Sequence, residues 1–127
     1  MGEATVLVVD DDEGFRAYVR ATLEAEALRV VEGANAQEAV EVALRERPQV
    51  ILLDWRMPGG SGIVACRNLR AEATLAGVRI AMVTGLDDER DRTLARHAGA
   101  DAFLVKDGDP DALARQVRRL LAASVVP

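Results

Sequence analysis

The chain has 127 residues, 50% of them hydrophobic, so it fits one domain able to bury well over half of its unfolded surface; no uninterrupted apolar run reaches the ~18 residues of a membrane span. The start MGEATVLVVD has no basic region or cleavage site, and one cysteine, Cys66, excludes an internal disulfide and a cysteine-based zinc site, so a soluble cytoplasmic protein in a reducing compartment is expected. A net charge of −5 without a basic block, and only four aromatics (Phe15, Tyr18, Trp55 and Phe103), exclude direct nucleic-acid binding.

In chain order, TVLVV (5–9) reads as a first buried strand, and Phe15, Val19 and Leu23 follow at helical spacing. LRVVE (28–32) reads as a second strand, followed by a helix with Ala36, Val40 and Ala43 on one face. VILLD (50–54) is the third strand, and the loop PGGSG leads to Ser61 as N-cap of a helix carrying Ile63, Cys66 and Leu69. VRIAMV (78–83) is the fourth strand. The segment 88–98 offers a helix only Leu94, Ala95 and Ala98 as an apolar face, which suits a mobile or partner-binding element. DAFLV (101–105) is the fifth strand; DGDP then sets Asp109 as N-cap and Pro110 as first residue of a helix with Leu113, Val117, Leu120 and Leu121. Residues 1–123 are thus expected to form one domain, with 124–127 a tail or the start of a linker. Five alternations of strand and helix predict a parallel sheet covered on both faces, because parallel strands need crossover connections.

The first strand runs straight into Asp10, Asp11, Asp12 and Glu13. Two carboxylates ~4 Å apart repel by roughly 4 kcal/mol at an effective dielectric near 20, so something positive must offset them. Ligands of open α/β sheets sit beyond the carboxyl ends of the strands, at the point where strand order reverses. Strand 3 ends in Asp54, strand 4 in Thr84 and Gly85, and strand 5 in Lys106. In the order 2-1-3-4-5, strands 1 and 3 are neighbours, so their acids meet in one crevice with Thr84 and Lys106 arriving from the far side. Of 16 basic residues 15 are arginine, and the lone lysine falls at a strand end; a compact ammonium suits a crowded anionic crevice better than a wide guanidinium fork.

These residues carry a family pattern. Over essentially its whole length the sequence resembles the receiver domains of two-component response regulators, through VVDDDEGFR, LLDWRMPGGSG, MVTG and FLVKD in that order. The resemblance implies a flavodoxin-like (βα)5 fold with strand order 2-1-3-4-5 and helices on both faces. It makes Asp54 the phospho-acceptor and Asp10 and Asp11 the acid pair that, with Asp54 and the main-chain carbonyl of Arg56, binds Mg²⁺. It makes Thr84 the switch hydroxyl, Gly85 and Lys106 phosphate-binding groups, and Phe103 the switch aromatic. Asp12, one past the pair, is expected to face solvent. The chemistry agrees, because a carboxylate attacking a phosphoryl group meets negative oxygens, and a hard ion held by carboxylates lowers that repulsion.

The implied partners are a histidine kinase or phosphotransfer protein and a downstream protein target or missing output domain, reached through the surface of helix 4, strand 5 and helix 5. The resemblance also admits a homodimer formed on phosphorylation, and it implies no membrane and no direct nucleic-acid contact. Two positions depart from the family. PGGSG replaces the usual acid and bulky residue, which should loosen that loop, and Asp107 stands where proline usually follows the lysine, so a trans bond is expected there. Trp55 reads as a packing residue, Cys66 as core and His97 as helix surface. One rival reading is a phosphatase of the haloacid-dehalogenase type, but Arg56 stands where its second aspartate would be. The other is a degenerate receiver acting as a phosphorylation-independent adaptor.

Overall fold

A computed structural model describes residues 3–57, 60–85 and 88–123; Gly59 of the loop, Asp87 and the tail 124–127 lie outside them. Five strands, β1 (Thr5–Val9), β2 (Arg29–Gly33), β3 (Val50–Asp54), β4 (Arg79–Thr84) and β5 (Ala102–Val105), form one parallel sheet in the order 2-1-3-4-5. The helices are α1 (Glu13–Glu24), α2 (Ala36–Glu46), α3 (Gly62–Arg70), α4 (Glu89–Ala98) and α5 (Pro110–Ala123). A short 3₁₀ turn, Ala73–Leu75, and a two-residue antiparallel ladder pairing Arg56–Met57 with Gly60–Ser61 complete the elements. The fold class is the flavodoxin-like one expected from the sequence.

The strands read as unbroken apolar runs because both faces of the sheet are covered. Val6, Val8, Val50, Leu52, Ala81 and Val83 pack on one side with Val19 and Leu23 of α1 and Val117 and Leu120 of α5. Leu7, Val9, Ile51, Leu53, Ile80 and Met82 pack on the other with Ala39 and Ala43 of α2, Cys66 and Leu69 of α3, and Ala95 and Ala98 of α4. Successive strand residues alternate between the two cores, as the period of two requires.

Helix ends follow local chemistry. Asn35 caps α2 and accepts from the Glu38 amide at 2.9 Å, while the Glu38 carboxylate accepts from the Ala34 amide at 2.8 Å. Ser61 caps α3 and Asp88 caps α4, whose last turn closes on Gly99 at φ 108°, a left-handed conformation suited to glycine. In α4 the expected apolar face shrinks to Ala95 and Ala98, and Leu94 is 49% exposed. Two alanines bring the helix close to the sheet while leaving leucine on the outer face. Cys66 is fully buried and its thiol donates to the Ala98 carbonyl, joining α3 to α4; His97 is exposed.

Candidate functional site

The site lies where β1, β3, β4 and β5 end. Register fixes the layout: β1 pairs with β3 through Val9 and Leu53, Asp54 pairs with Val83, and Thr84 pairs with Val105. The residues that follow, Asp10 and Lys106, therefore stand with Asp54 and Thr84 along one edge. Asp10, Asp54 and Thr84 are 1%, 9% and 7% exposed, polar groups in a sheet otherwise lined by aliphatic side chains. The Thr84 carbonyl accepts from the Lys106 amide at 2.7 Å, which ties the ends of β4 and β5 together.

Lys106 answers the charge problem posed by the sequence. Its Nζ lies 2.8 Å from Asp10 Oδ2 and 3.4 Å from Asp54 Oδ1, so one ammonium bridges the ends of β1 and β3. It also lies over the Phe15 ring, 4.3 Å from the centroid, an added cation–π attraction. Burial, and next the charge of Asp10, push the Asp54 carboxyl up to about 6 against the pull of Lys106. For Lys106 burial works toward a lower value, but the bond and charge of Asp10, followed by Asp54, outweigh it and raise the ammonium above its ordinary value.

The three consecutive aspartates have three different environments. Asp10 is buried, and its Oδ1 accepts from the Asp12 amide at 2.9 Å. Asp11 is exposed, yet it and Asp10 and Asp54 each offer a carboxylate oxygen, all within 4.8 Å of one another. Asp12 is exposed and its side chain accepts from the Gly14 and Phe15 amides at 2.9 and 3.3 Å, so it is the N-cap of α1. Three hard anionic oxygens at that spacing fit a small divalent cation such as Mg²⁺.

The remaining candidates lie around this core. The Arg56 side chain is exposed in the short ladder beside Asp54, and Gly85 is exposed with open space beside its Cα. Phe103 is partly buried, edge-on to Trp55 with ring centroids 6.1 Å apart, and the Arg92 guanidinium lies 4.9 Å from its centroid. Trp55, the residue that follows Asp54 in the chain, is therefore a packing partner of Phe103. The Lys106–Asp107 bond is trans, as expected. Asp107 does not compete for the ammonium, because its carboxylate accepts from the Asp109 amide at 3.0 Å.

Sequence reasoning missed three contributors. Phe15 packs against the core from α1 as its spacing predicts, but its second role, flooring Lys106, is not visible in that spacing. Gly62 permits α3 to start against Asp54: a Cβ there would lie 2.4 Å from the Asp54 carbonyl oxygen. The three glycines of PGGSG were the available signal, but it did not single out Gly62. Arg16 reaches the Asp10 main-chain carbonyl at 2.5 Å from one turn into α1, and nothing in its spacing marks it.

The model of the response regulator receiver domain matches residues 6–118. The chain belongs to this family. Among curated proteins it is 32% identical over 117 residues to the phosphate regulon transcriptional regulatory protein PhoB of Pseudomonas aeruginosa, covering 92% of this chain and 51% of that protein. It is 36% identical over 123 residues to the response regulator PleD of Caulobacter vibrioides, covering 97% of this chain and 27% of that protein. The chain thus spans about half the length, or less, of these relatives. Among solved structures, the Vibrio cholerae chemotaxis protein CheY4 superposes with a TM-score of 0.90 at 28% identity, covering 94% of this chain and 99% of that one. The BeF3-activated N-terminal receiver domain of Klebsiella pneumoniae RstA gives a TM-score of 0.85 at 30% identity, covering 92% and 97%. Receiver domains are signalling modules of two-component systems, working with histidine kinases and output domains, and bind Mg²⁺ at an acidic pocket; this chain carries an acidic cluster of Asp10, Asp11 and Asp54. Among the described residues no helix is long and apolar enough to cross a membrane.

Proposed function

We propose that residues 1–123 act as a cytoplasmic switch that accepts a phosphoryl group on Asp54 from a histidine kinase or phosphotransfer protein. The observation that carries this reading is the Lys106 ammonium bridging Asp10 and Asp54 in one buried crevice. An Asp54 carboxylate oxygen attacks the phosphorus of a phosphohistidine; the P–N bond breaks, and the imidazole nitrogen leaves with the bonding pair and takes a proton. Asp10, Asp11, Asp54 and the Arg56 carbonyl would hold Mg²⁺, which when bound supplies charge neutralisation between the carboxylates and the phosphoryl oxygens. Lys106 moves from Asp54 to a phosphoryl oxygen, keeping its bond to Asp10. The Thr84 hydroxyl and Gly85 amide donate to the other oxygens.

Thr84 sits at the end of β4 and Phe103 on the adjacent β5, so a pull on Thr84 reaches the Trp55–Phe103–Arg92 stack and changes the α4–β5–α5 surface offered to a downstream protein, an output domain or a second copy of the chain. Turnover is limited to the chain's own aspartyl phosphate. Incubation with acetyl phosphate and Mg²⁺ followed by intact-mass measurement tests this. A single phosphate adduct is expected in the wild type and none in Asp54→Asn; an adduct that persists in Asp54→Asn, or none in the wild type, refutes the assignment and in the second case favours the adaptor reading.

A further inference from the structure

The Asp10 side chain is held by Lys106 and by the Asp12 amide, but its main chain is held separately. Its N–H donates to the Gly33 carbonyl at the end of β2 at 3.1 Å, and its carbonyl accepts from Arg16 Nη1 at 2.5 Å. Arg16 itself is fixed from the other side, because its Nε donates to Glu32 Oε1 at 2.9 Å. Glu32 lies next to Gly33 on β2, and its second oxygen accepts from Arg20 at 2.8 Å. Arg20 in turn bonds Glu24 at 2.9 Å. The Glu32 carboxylate and the Arg16 guanidinium thus lead from β2 to one peptide group, the one joining the two acids at the site, while Arg20 and Glu24 extend outward from Glu32 and do not reach it.

That peptide is planar, so the Asp10 carbonyl and the Asp11 amide turn together. Holding the carbonyl oxygen sets the direction in which the chain leaves toward Asp11, and with it the reach of the exposed Asp11 carboxylate toward Asp10 and Asp54. We infer that Arg16, braced by Glu32, is a positioning residue for the Asp10–Asp11 acid pair and sets the affinity of this pocket for a divalent cation. The planar fork of arginine is what the arrangement uses, since one guanidinium bonds a carboxylate through Nε and a carbonyl through Nη1; lysine offers a single point charge and cannot fix both. The Arg16 side chain is 16% exposed, so it competes with little water, whereas Arg20 is 38% exposed and touches neither Asp10 nor Asp11.

This inference rests on the cation-binding part of the proposed function and not on phosphoryl transfer. Its test is Mg²⁺ titration of the unphosphorylated chain by calorimetry and Trp55 fluorescence, with Arg16→Ala, Arg16→Lys, Glu32→Gln and Arg20→Ala compared. Outer partners of metal ligands commonly contribute 10-fold or more to affinity, so Arg16→Ala should weaken Mg²⁺ binding about tenfold and Glu32→Gln by a smaller factor, with Arg20→Ala within about twofold of wild type. Arg16→Lys, which keeps the charge and the fold, should resemble Arg16→Ala. Without metal, the amide hydrogen of Asp12 should exchange faster in Arg16→Lys and unchanged in Arg20→Ala, because only the first frees the peptide that carries the chain from Asp10 toward the Asp12 amide. Arg16→Ala and Arg16→Lys binding Mg²⁺ like Arg20→Ala would overturn the inference. A Mg²⁺ affinity that depends on Arg16 in a wild type that takes up no phosphate would sustain it while refuting the phosphoryl-transfer reading.

Discussion

Asp54 is 9% exposed, faces Asp10, and has its carboxyl pushed up to about 6 mainly by burial, so replacing it with asparagine should stabilise the metal-free protein at neutral pH. The sign follows from proton linkage. The folded state keeps the Asp54 proton to higher pH than the unfolded chain, so it binds more protons between about pH 4 and pH 6, and stability is lost as pH rises through that window. The span from the ordinary 3.8 to about 6 corresponds, at ~1.36 kcal/mol per pH unit, to a ceiling of roughly 3 kcal/mol. That ceiling already contains the pull of Lys106; asparagine removes that cost but sets a neutral amide, with its own hydrogen-bonding groups to satisfy, beside the Lys106 ammonium, so a net gain of about 1–2 kcal/mol is expected.

Urea denaturation in a chelator at about pH 7.5 and about pH 4 measures it; the advantage of Asp54→Asn should be present at the higher pH and nearly gone at the lower. Saturating Mg²⁺ should narrow the gap, because a ligand for the folded state stabilises by mass action and the variant offers one carboxylate fewer. A destabilised Asp54→Asn at neutral pH, or a difference independent of pH, would refute the reasoning.

Gly62→Ala should cost about 1–3 kcal/mol in denaturant titration, because its Cβ would meet the Asp54 carbonyl oxygen at 2.4 Å and Met82 Cε at 2.6 Å, and the backbone atom cannot swing away. Gly85→Ala, with nothing within 4 Å, should stay within about 0.5 kcal/mol; equal costs would show that the approach of α3 to β3 is not tight. Asp107→Asn should leave the rate of phosphorylation by acetyl phosphate and the lifetime of the adduct unchanged, because the Asp107 carboxylate bonds its own turn rather than Lys106. A change in either would show that its charge acts in the site.

Most of the fold was legible because the parallel strands are buried on both faces and read as short unbroken apolar runs ending in polar residues. The strand ends then supplied the site: Asp10, Asp54, Thr84 and Lys106 converge because register places them there. Less was legible where a residue acts through a tertiary contact that its own element does not need. Phe15 satisfies the helical spacing of α1 as well as any core residue would, and only the fold puts Lys106 over its ring. Arg16 is one of two arginines on α1, and its reach back to the Asp10 carbonyl appears only once β2 brings Glu32 alongside. The ladder of Arg56–Met57 with Gly60–Ser61 is two residues long on each side, too short for a periodicity to show. In α4 the spacing put Leu94, Ala95 and Ala98 on one apolar face suited to a mobile or partner-binding element, and the fold divides that face, burying the two alanines and leaving Leu94 exposed.

The run Asp10–Asp11–Asp12 shows why identical residues are assigned different work by geometry. At the end of β1 the first is still directed by the sheet, so it is buried between β2 and β3 and can be held only if cations and amides reach it; Lys106, the Asp12 amide and Arg16 do so. The third has already entered the turn, where the free amides of α1 are the nearest donors, and it caps the helix. The second lies between these demands and meets neither, so its carboxylate stays in water at the mouth of the crevice. A buried acid already paired with a lysine, beside an exposed acid, would offer a divalent cation two carboxylates of different hydration. The single lysine of the chain belongs to the same logic, because its compact charge can lie between two carboxylates and over an aromatic face at once.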